Sequence, residues 1–463
     1  MNLHRLISLL YLSVLAGCSC GPESELDTGI LADVLLDAPD TPTWEVEVLS
    51  RAPCLPWAPS APLAPATLPA DATPRRLWVF DVEEDAAFQA ALRASSLPLR
   101  QLVFPTLAPD GSVRLFGPDG SSVTSVSADG EFLGLAGQGL AESEGLYFGP
   151  PVVDPEGTAW MVSRPTSASP EARLVSYREG MFTPNVVIPN VDSGLTRARV
   201  IIGAGGLIAV NYGIETTVTC RGTRAQWRSR SAINPGVSLA DGTFWSALDR
   251  GWITSPDGTL RAAAITLPVS PIAPHSVSNL AVLSAGRFWF ELVAPPFETL
   301  NLWLGDGEVW QQIPVGTPTD LGGVQLSSRW VWVIRQEGAI QSFASVEGTT
   351  MLSTTRVASG LTSYLPTADG SLLIVENAEP PNLLRLMPDG TIPWRVPLLG
   401  SRDERLSGAD TAVSLDQRGV LYITNGISQV IAVQTDTLPP PDGTCWIPGC
   451  NGRRDSSVSF HTE

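Results

Sequence analysis

Short apolar runs that open on a turn residue organise this chain. The clearest are Asp241-Gly242-Thr243-Phe244-Trp245-Ser246-Ala247, Ser328-Arg329-Trp330-Val331-Trp332-Val333-Ile334, Asp369-Gly370-Ser371-Leu372-Leu373-Ile374-Val375 and Arg418-Gly419-Val420-Leu421-Tyr422-Ile423-Thr424. Glycine relieves the steric limits of a tight turn, and the β-branched and aromatic side chains that follow favour a strand. A second turn often comes later in the same unit, at Asp257-Gly258, Asp306-Gly307, Glu337-Gly338 and Asp389-Gly390. Asp-Gly suits the compact turn of a hairpin. No series of long amphipathic helices competes with this pattern; one short helix is expected within Asp81 to Leu92.

The pattern recurs. Anchors stand at Gly111, Gly157, Gly206, Gly242, Gly286, Arg329 in the glycine-equivalent place, Gly370 and Gly419, about 44 residues apart on average. That spacing suits one four-stranded propeller blade per repeat. The expectation is an all-β fold, a single eight-bladed β-propeller of four-stranded antiparallel blades over residues 73–436. A repeat-rich sandwich or two smaller propellers are the alternatives. Leu115–Phe116 and Leu133–Leu135 belong to a first blade, and Ala159–Val162 and Leu174–Tyr177 to the next. The last blade is expected to join Val420–Ile423 and Val430–Val433 to an N-terminal strand at Leu77-Trp78-Val79-Phe80. A ring of blades protects most strand edges.

The N-terminal region reads differently. Arg5 is followed by an apolar run from Leu6 to Ala16, too short to span a bilayer comfortably, and then by Gly17 and Cys18. Residues 18–72 carry scattered acidic side chains and then a Pro/Ala-rich stretch, the composition of a tether, with one short strand expected at Trp44-Glu45-Val46-Glu47-Val48. Residues 437–463 form a C-terminal cap or tail. The net charge is −18 and all basic residues are arginines. This balance argues against nucleic acid as a partner.

Leu15-Ala16-Gly17-Cys18 resembles the lipobox of bacterial lipoproteins. The resemblance implies a signal peptide over 1–17, cleavage before Cys18, and lipidation of Cys18 as the anchor to the membrane; several acyl chains hold where one does not. Ser19 after the lipidated cysteine implies delivery to the outer membrane. An ordinary secretory signal is the alternative. With Cys18 committed to lipid, Cys20, Cys54, Cys220, Cys445 and Cys450 remain. Cys445 and Cys450 can close a small disulfide loop in an oxidising envelope. Cys54 can pair with Cys220, or either with the terminal pair, and the sequence does not choose.

Asp306-Gly307-Glu308-Val309-Trp310 and Asp389-Gly390-Thr391-Ile392-Pro393-Trp394, with the looser Arg221-Gly222-Thr223-Arg224-Ala225-Gln226-Trp227, resemble repeats of the quinoprotein-like propellers. The likeness covers roughly residues 100–436. It implies that Trp227, Trp310 and Trp394 dock one blade against another. Members that oxidise alcohols use a quinone, a metal and an acidic base, and many carry adjacent cysteines; this chain has no such pair, and no acidic residue matches the metal or base position. Expected cofactors and metals are therefore none.

Independent site reading agrees. His4 falls in the signal, His461 lies near the C-terminal end, and His275 has no local nucleophile–base pattern. Asp403-Glu404 and Asp410 make the most acidic local patch but lack the spacing of a calcium loop. Gly203-Ala204-Gly205-Gly206 lacks the strand–turn–helix setting of a dinucleotide site. The expected role is a non-enzymatic, lipid-anchored envelope scaffold resembling the propeller subunit of outer-membrane barrel assembly, with an envelope or outer-membrane protein as partner. A cell-wall component or glycan, bound as an adhesin would bind it, is the alternative, and a quinone-dependent oxidoreductase a further one. Loops at Arg221–Arg230 and Pro295–Leu304 are the candidate contact regions.

Overall fold

The computed structural model describes residues 46–48, 50, 54–58 and 74–95, and from 104 to 439 the strands and many of their turns; 1–45, 59–73, 96–103, 164–170, 189–197, 263–275, 401–411 and 440–463 are among the residues outside that description. Every described residue belongs to one compact unit, Glu45–Glu463.

Among the described residues the chain forms eight antiparallel sheets, seven of four strands and one of five. Sheet 1 comprises Phe104–Leu107, Val113–Phe116, Ser122–Val126 and Phe132–Gly137. Sheet 2 comprises Tyr147–Val153, Ala159–Ser163, Ala172–Arg178 and Met181–Ile188. Sheet 3 has Ala198–Ile202, Leu207–Tyr212, Glu215–Cys220 and Arg224–Arg230, to which β1 (Val46–Val48) adds a fifth strand. Sheets 4, 5 and 6 start at Val237–Ser238, Ser276–Val282 and Leu321–Leu326. Sheet 7 has Ser363–Pro366, Leu372–Glu376, Asn382–Leu386 and Trp394–Pro397. Sheet 8 joins Ala412–Leu415, Val420–Thr424 and Gln429–Gln434 to β2 (Arg75–Asp81) from the other end of the chain.

The repeated sheets expected from the sequence are thus present, with Leu115–Phe116 and Leu133–Leu135 in sheet 1 and Ala159–Val162 and Leu174–Tyr177 in sheet 2. The long-range pairing of β2 is present as well: Val79 lies opposite Ile431 and Phe80 opposite Val430. First strands pack on first strands. That of sheet 1 touches those of sheets 2 and 8, that of sheet 3 those of sheets 2 and 4, and that of sheet 7 those of sheets 6 and 8.

The core lies between sheets, because each strand alternates apolar side chains toward both neighbours. In sheet 8, Ile431 and Val433 face sheet 7, whereas Val430 and Ala432 face sheet 1. The short helix α1 (Ala86–Ser95) lies within three residues of its expected end and sends Phe88 into the space between sheets 8 and 1, edge-on to Phe80 and Phe132. Asp85 caps it, accepting from the Phe88 amide at 2.7 Å.

Residues 18–72, expected as a tether, hold more structure than one strand. Val46, Glu47 and Val48 pair with Ser229, Arg228 and Trp227, and Cys54 forms a disulfide with Cys220. The sequence left that pairing open, because a link across 166 residues depends on the folded sheet.

Candidate functional site

The antiparallel order of each sheet brings its first and third hairpin turns to one end, and there two sequence solutions hold the same first turn. In sheets 2 and 8 an aspartate stands three residues before the glycine. Asp154 Oδ1 accepts from the Glu156 and Thr158 amides, both at 2.9 Å, and Asp416 Oδ1 from the Arg418 and Val420 amides, both at 2.8 Å. The second oxygen turns to an aromatic residue on the next strand: Trp160 Nε1 donates to Asp154 Oδ2 at 2.8 Å, and the Tyr422 hydroxyl to Asp416 Oδ2 at 3.2 Å. In sheet 7 the aspartate stands immediately before the glycine. Asp369 Oδ1 there accepts from the hydroxyls of Thr367 and Ser371 at 2.6 and 2.8 Å. Gly157 and Gly370 take φ of 85° and 86°, which a side chain would strain.

These two arrangements differ electrostatically. Burial pushes the Asp154 carboxyl above its ordinary range, only partly offset by the Trp160 indole and the two amides. Burial acts upward on Asp369 too, but the Thr367 and Ser371 hydroxyls and the Arg385 charge outweigh it and hold the group below the usual range.

Side chains from one sheet also fasten the turn of the next. Arg114 Nη1 donates to the Gly157 carbonyl at 2.6 Å, and Trp332 Nε1 to the Gly370 carbonyl at 2.9 Å. Trp78 Nε1 on β2 donates to the Ala128 carbonyl at 2.9 Å and lies so close to Gly130 that a Cβ there would overlap its ring.

At sheets 2 and 3 this turn end is overlaid by residues 54–58. Cys54 packs on one face of sheet 3 with Ile201, Leu207, Ala209 and Val218. Trp57, 8% exposed, packs on the other, between sheets 2 and 3, with Trp160, Val162, Val200 and Ile202. The segment therefore straddles the end of sheet 3. Between the two side chains, the Leu55 carbonyl sits where a Cβ on Gly206 would be. Arg221 lies over the Trp57 ring at 5.0 Å and pairs with Glu156, which also accepts from the Ala58 amide at 2.9 Å. Leu55 and Met181 stay exposed at this end.

The sequence-predicted residues fall in varied places. Trp227 sits on the last regular strand of sheet 3, opposite Val48 and Val218. Trp310 opens the last strand of sheet 5, Trp310–Ile313. Trp394 opens the last strand of sheet 7 and packs, partly buried, on the cluster shared by sheets 7 and 8. The three belong to three sheets and form no common site. Arg221–Arg230 and Pro295–Leu304 are corrected as loops: most of the first is the strand Arg224–Arg230, covered at its edge by β1, and the second includes the strand Thr299–Gly305 between two others. Cys18, Cys445, Cys450, His275, Asp403, Glu404 and Asp410 lie outside the described residues.

Sequence reading assigned no role to Asp154, Trp160 or Trp57. The Asp-x-x-Gly spacing of 154–157, repeated at 416–419, was the available signal for the turn; nothing local marks Trp57 as buried. Among the described residues no group of three His, Cys, Asp or Glu is placed to hold a metal ion. No helix of the described residues is long and apolar enough to cross a membrane.

No protein-family model and no curated protein matches the chain. Solved structures with some likeness include a virginiamycin B lyase from Staphylococcus aureus, at 12% identity and a TM-score of 0.41 over 78% of this chain and 100% of that one. Others are apo AztD from Citrobacter koseri (11%, TM-score 0.39, 64% and 86%) and YCF48 from Cyanidioschyzon merolae (12%, TM-score 0.42, 78% and 98%). Likeness at this level brings neither a family nor an activity to the chain.

Proposed function

We propose that this protein is a non-enzymatic scaffold of the bacterial envelope, held to the outer membrane by lipid on Cys18, which recognises a protein partner through the loops of a single eight-bladed propeller. The Cys54–Cys220 disulfide carries the reading. Internal disulfides of this kind persist in oxidising compartments, so the bond supports export, as does the lipobox-like Leu15-Ala16-Gly17-Cys18. The propeller is supported by the order of contacts between first strands and by a sheet made from both ends of the body. Loops on such a frame keep their spacing because the sheets beneath them do not yield. The turns described above are themselves bonded to neighbouring sheets, which suits a rigid presenting surface.

Reversible crosslinking in the intact envelope tests the proposal, with quantitative mass spectrometry of the captured proteins beside Cys18→Ala and unrelated lipoprotein controls. The expected result is reproducible enrichment of an envelope protein by the lipidated form, with mapped contacts. Efficient capture by the controls and none by this chain overturns the scaffold, and specific retention on a cell-wall polysaccharide instead assigns the adhesin reading.

A further inference from the structure

The edge of a sheet is a template for another strand, and several edges here are blunted against it. Proline or glycine interrupts the outer strands Met181–Ile188, Trp394–Pro397 and Phe132–Gly137, and the outer strand Leu260–Ala262 has only three residues. In sheet 3 the edge of Arg224–Arg230 is covered by β1, so an outer edge of this fold can accept a further strand. Sheet 8 ends differently. Its outer strand β2 has seven residues, Arg75-Arg76-Leu77-Trp78-Val79-Phe80-Asp81, with neither proline nor glycine. Gln429–Gln434 pairs with one edge of β2, and among the described residues no strand pairs with the other.

This strand also leaves apolar side chains in solvent. Leu77 is 40% exposed and Val79 39%. Leu77 stands at a bulge and has no register partner in the ladder to Gln429–Gln434. Arg75 and Arg76 are exposed at one end, and Asp81 is half-buried at the other.

The order of these residues is self-complementary. Laid antiparallel against a second β2 with Trp78 opposite Trp78, all seven residues overlap. Arg75 then stands opposite Asp81, Arg76 opposite Phe80 and Leu77 opposite Val79, and the two-fold axis gives each of these pairs twice. Opposite charges and apolar side chains facing each other across a ladder stabilise it, and in this register no like charges meet. Sliding one strand by two residues either way loses both Arg75–Asp81 pairs and shortens the overlap. Asp81 accepts from the Gln429 side-chain amide and the Glu83 amide, both at 2.8 Å. A carboxylate so held keeps lone pairs for a guanidinium.

We propose that two copies of this chain join through β2, sheet 8 to sheet 8, in the register that sets Arg75 opposite Asp81 and Leu77 opposite Val79. The four strands of each copy then form one continuous antiparallel sheet. The surface is separate from the loops of the scaffold reading and stands whether or not those loops bind a partner.

Sedimentation of the purified full chain over a wide range of concentration tests this. The expected result is a monomer–dimer equilibrium, with amides at Arg75–Asp81 exchanging more slowly in the dimer. Arg75→Asp and Asp81→Arg are each expected to weaken association by about tenfold, because each sets like charges together twice. An equal mixture of the two variants should regain it, since opposite charges face each other again in the mixed pair. Val79→Lys changes an exposed position of the monomer, and it too should weaken association without altering amide exchange in sheet 2. A monomer at every concentration overturns the proposal. A dimer left intact by all three substitutions places the contact elsewhere and overturns it as well. So does a mixture that fails to associate although both variants keep the exchange pattern of the folded monomer.

Discussion

The junction of sheets 2 and 3 and that of sheets 7 and 8 are built from the same repeat and finished differently. At the first, Trp57 completes the cluster of Trp160, Val162, Val200 and Ile202, and the Cys54–Cys220 bond and the β1 ladder hold its segment in place. At the second, Leu77 and Val79 on β2 and Ile392, two residues before Trp394, stand exposed. First strands of neighbouring sheets pack on one another. Beyond them the first junction gains an aromatic side chain from a distant part of the chain, whereas at the second apolar side chains of the outer strands are left partly exposed.

The contrast can be broken first at Trp57. Trp57→Ala removes a buried aromatic side chain and is expected to cost about 3–5 kcal/mol, measured by denaturant unfolding; a loss below about 1 kcal/mol would show that the segment merely lies on the surface. Next comes the covalent link. Cys54→Ser with Cys220→Ser is expected to lower stability by about 2–4 kcal/mol and to leave amides at Val46–Val48 exchanging faster. Asp154→Ala strips the acceptor from the buried Thr158 amide, the part-buried Glu156 amide and the Trp160 indole, at a cost of about 1–3 kcal/mol, read out by thermal unfolding and by Trp160 emission. At the other junction the effect is smaller. Val79→Ser, at a position 39% exposed, is expected to cost less than about 1 kcal/mol, measured by denaturant unfolding.

Acid sharpens the comparison of the two turns. Asp154 has a folded pKa above that of the unfolded chain. The folded state therefore binds its proton more tightly, so its contribution is fully present below the unfolded value near 3.8 and is lost as pH rises through the folded value. Asp369 has the opposite sign: its contribution is present above 3.8 and lost as pH falls through its lowered folded value. Amides at Thr367–Ser371 should lose protection as pH falls below 3.8, relative to those at Asp154–Thr158, after correction for intrinsic exchange rates. An equal loss at both turns would remove the distinction.

Much of the architecture was legible in the residues because it is local. A turn glycine such as Gly370, followed by Leu372-Leu373-Ile374-Val375, specifies a hairpin wherever it stands, and repetition specifies sheet after sheet. The pairing of β2 with Gln429–Gln434 could also be read, since Leu77-Trp78-Val79-Phe80 was a strand with no local partner. The candidate site was less legible. Arg221–Arg230 looks like a polar loop when read by composition, but its alternating side chains make a strand once the neighbouring Glu215–Cys220 ladder and β1 take up its hydrogen bonds. Trp394 carries the same motif as Trp310, yet its setting depends on what sheet 8 presents to it.

By itself, then, the sequence determined the all-β class, the repeat length, the strand content of most sheets and the joining of distant ends in sheet 8, all of which follow from turn chemistry and the period-two alternation of apolar side chains. Tertiary structure alone decided that Cys54 bonds Cys220, that Trp57 is core, that Asp154 is buried against Trp160, and that Leu77 and Val79 are left uncovered. Those outcomes depend on which sheets lie side by side, and that is not encoded within any single repeat.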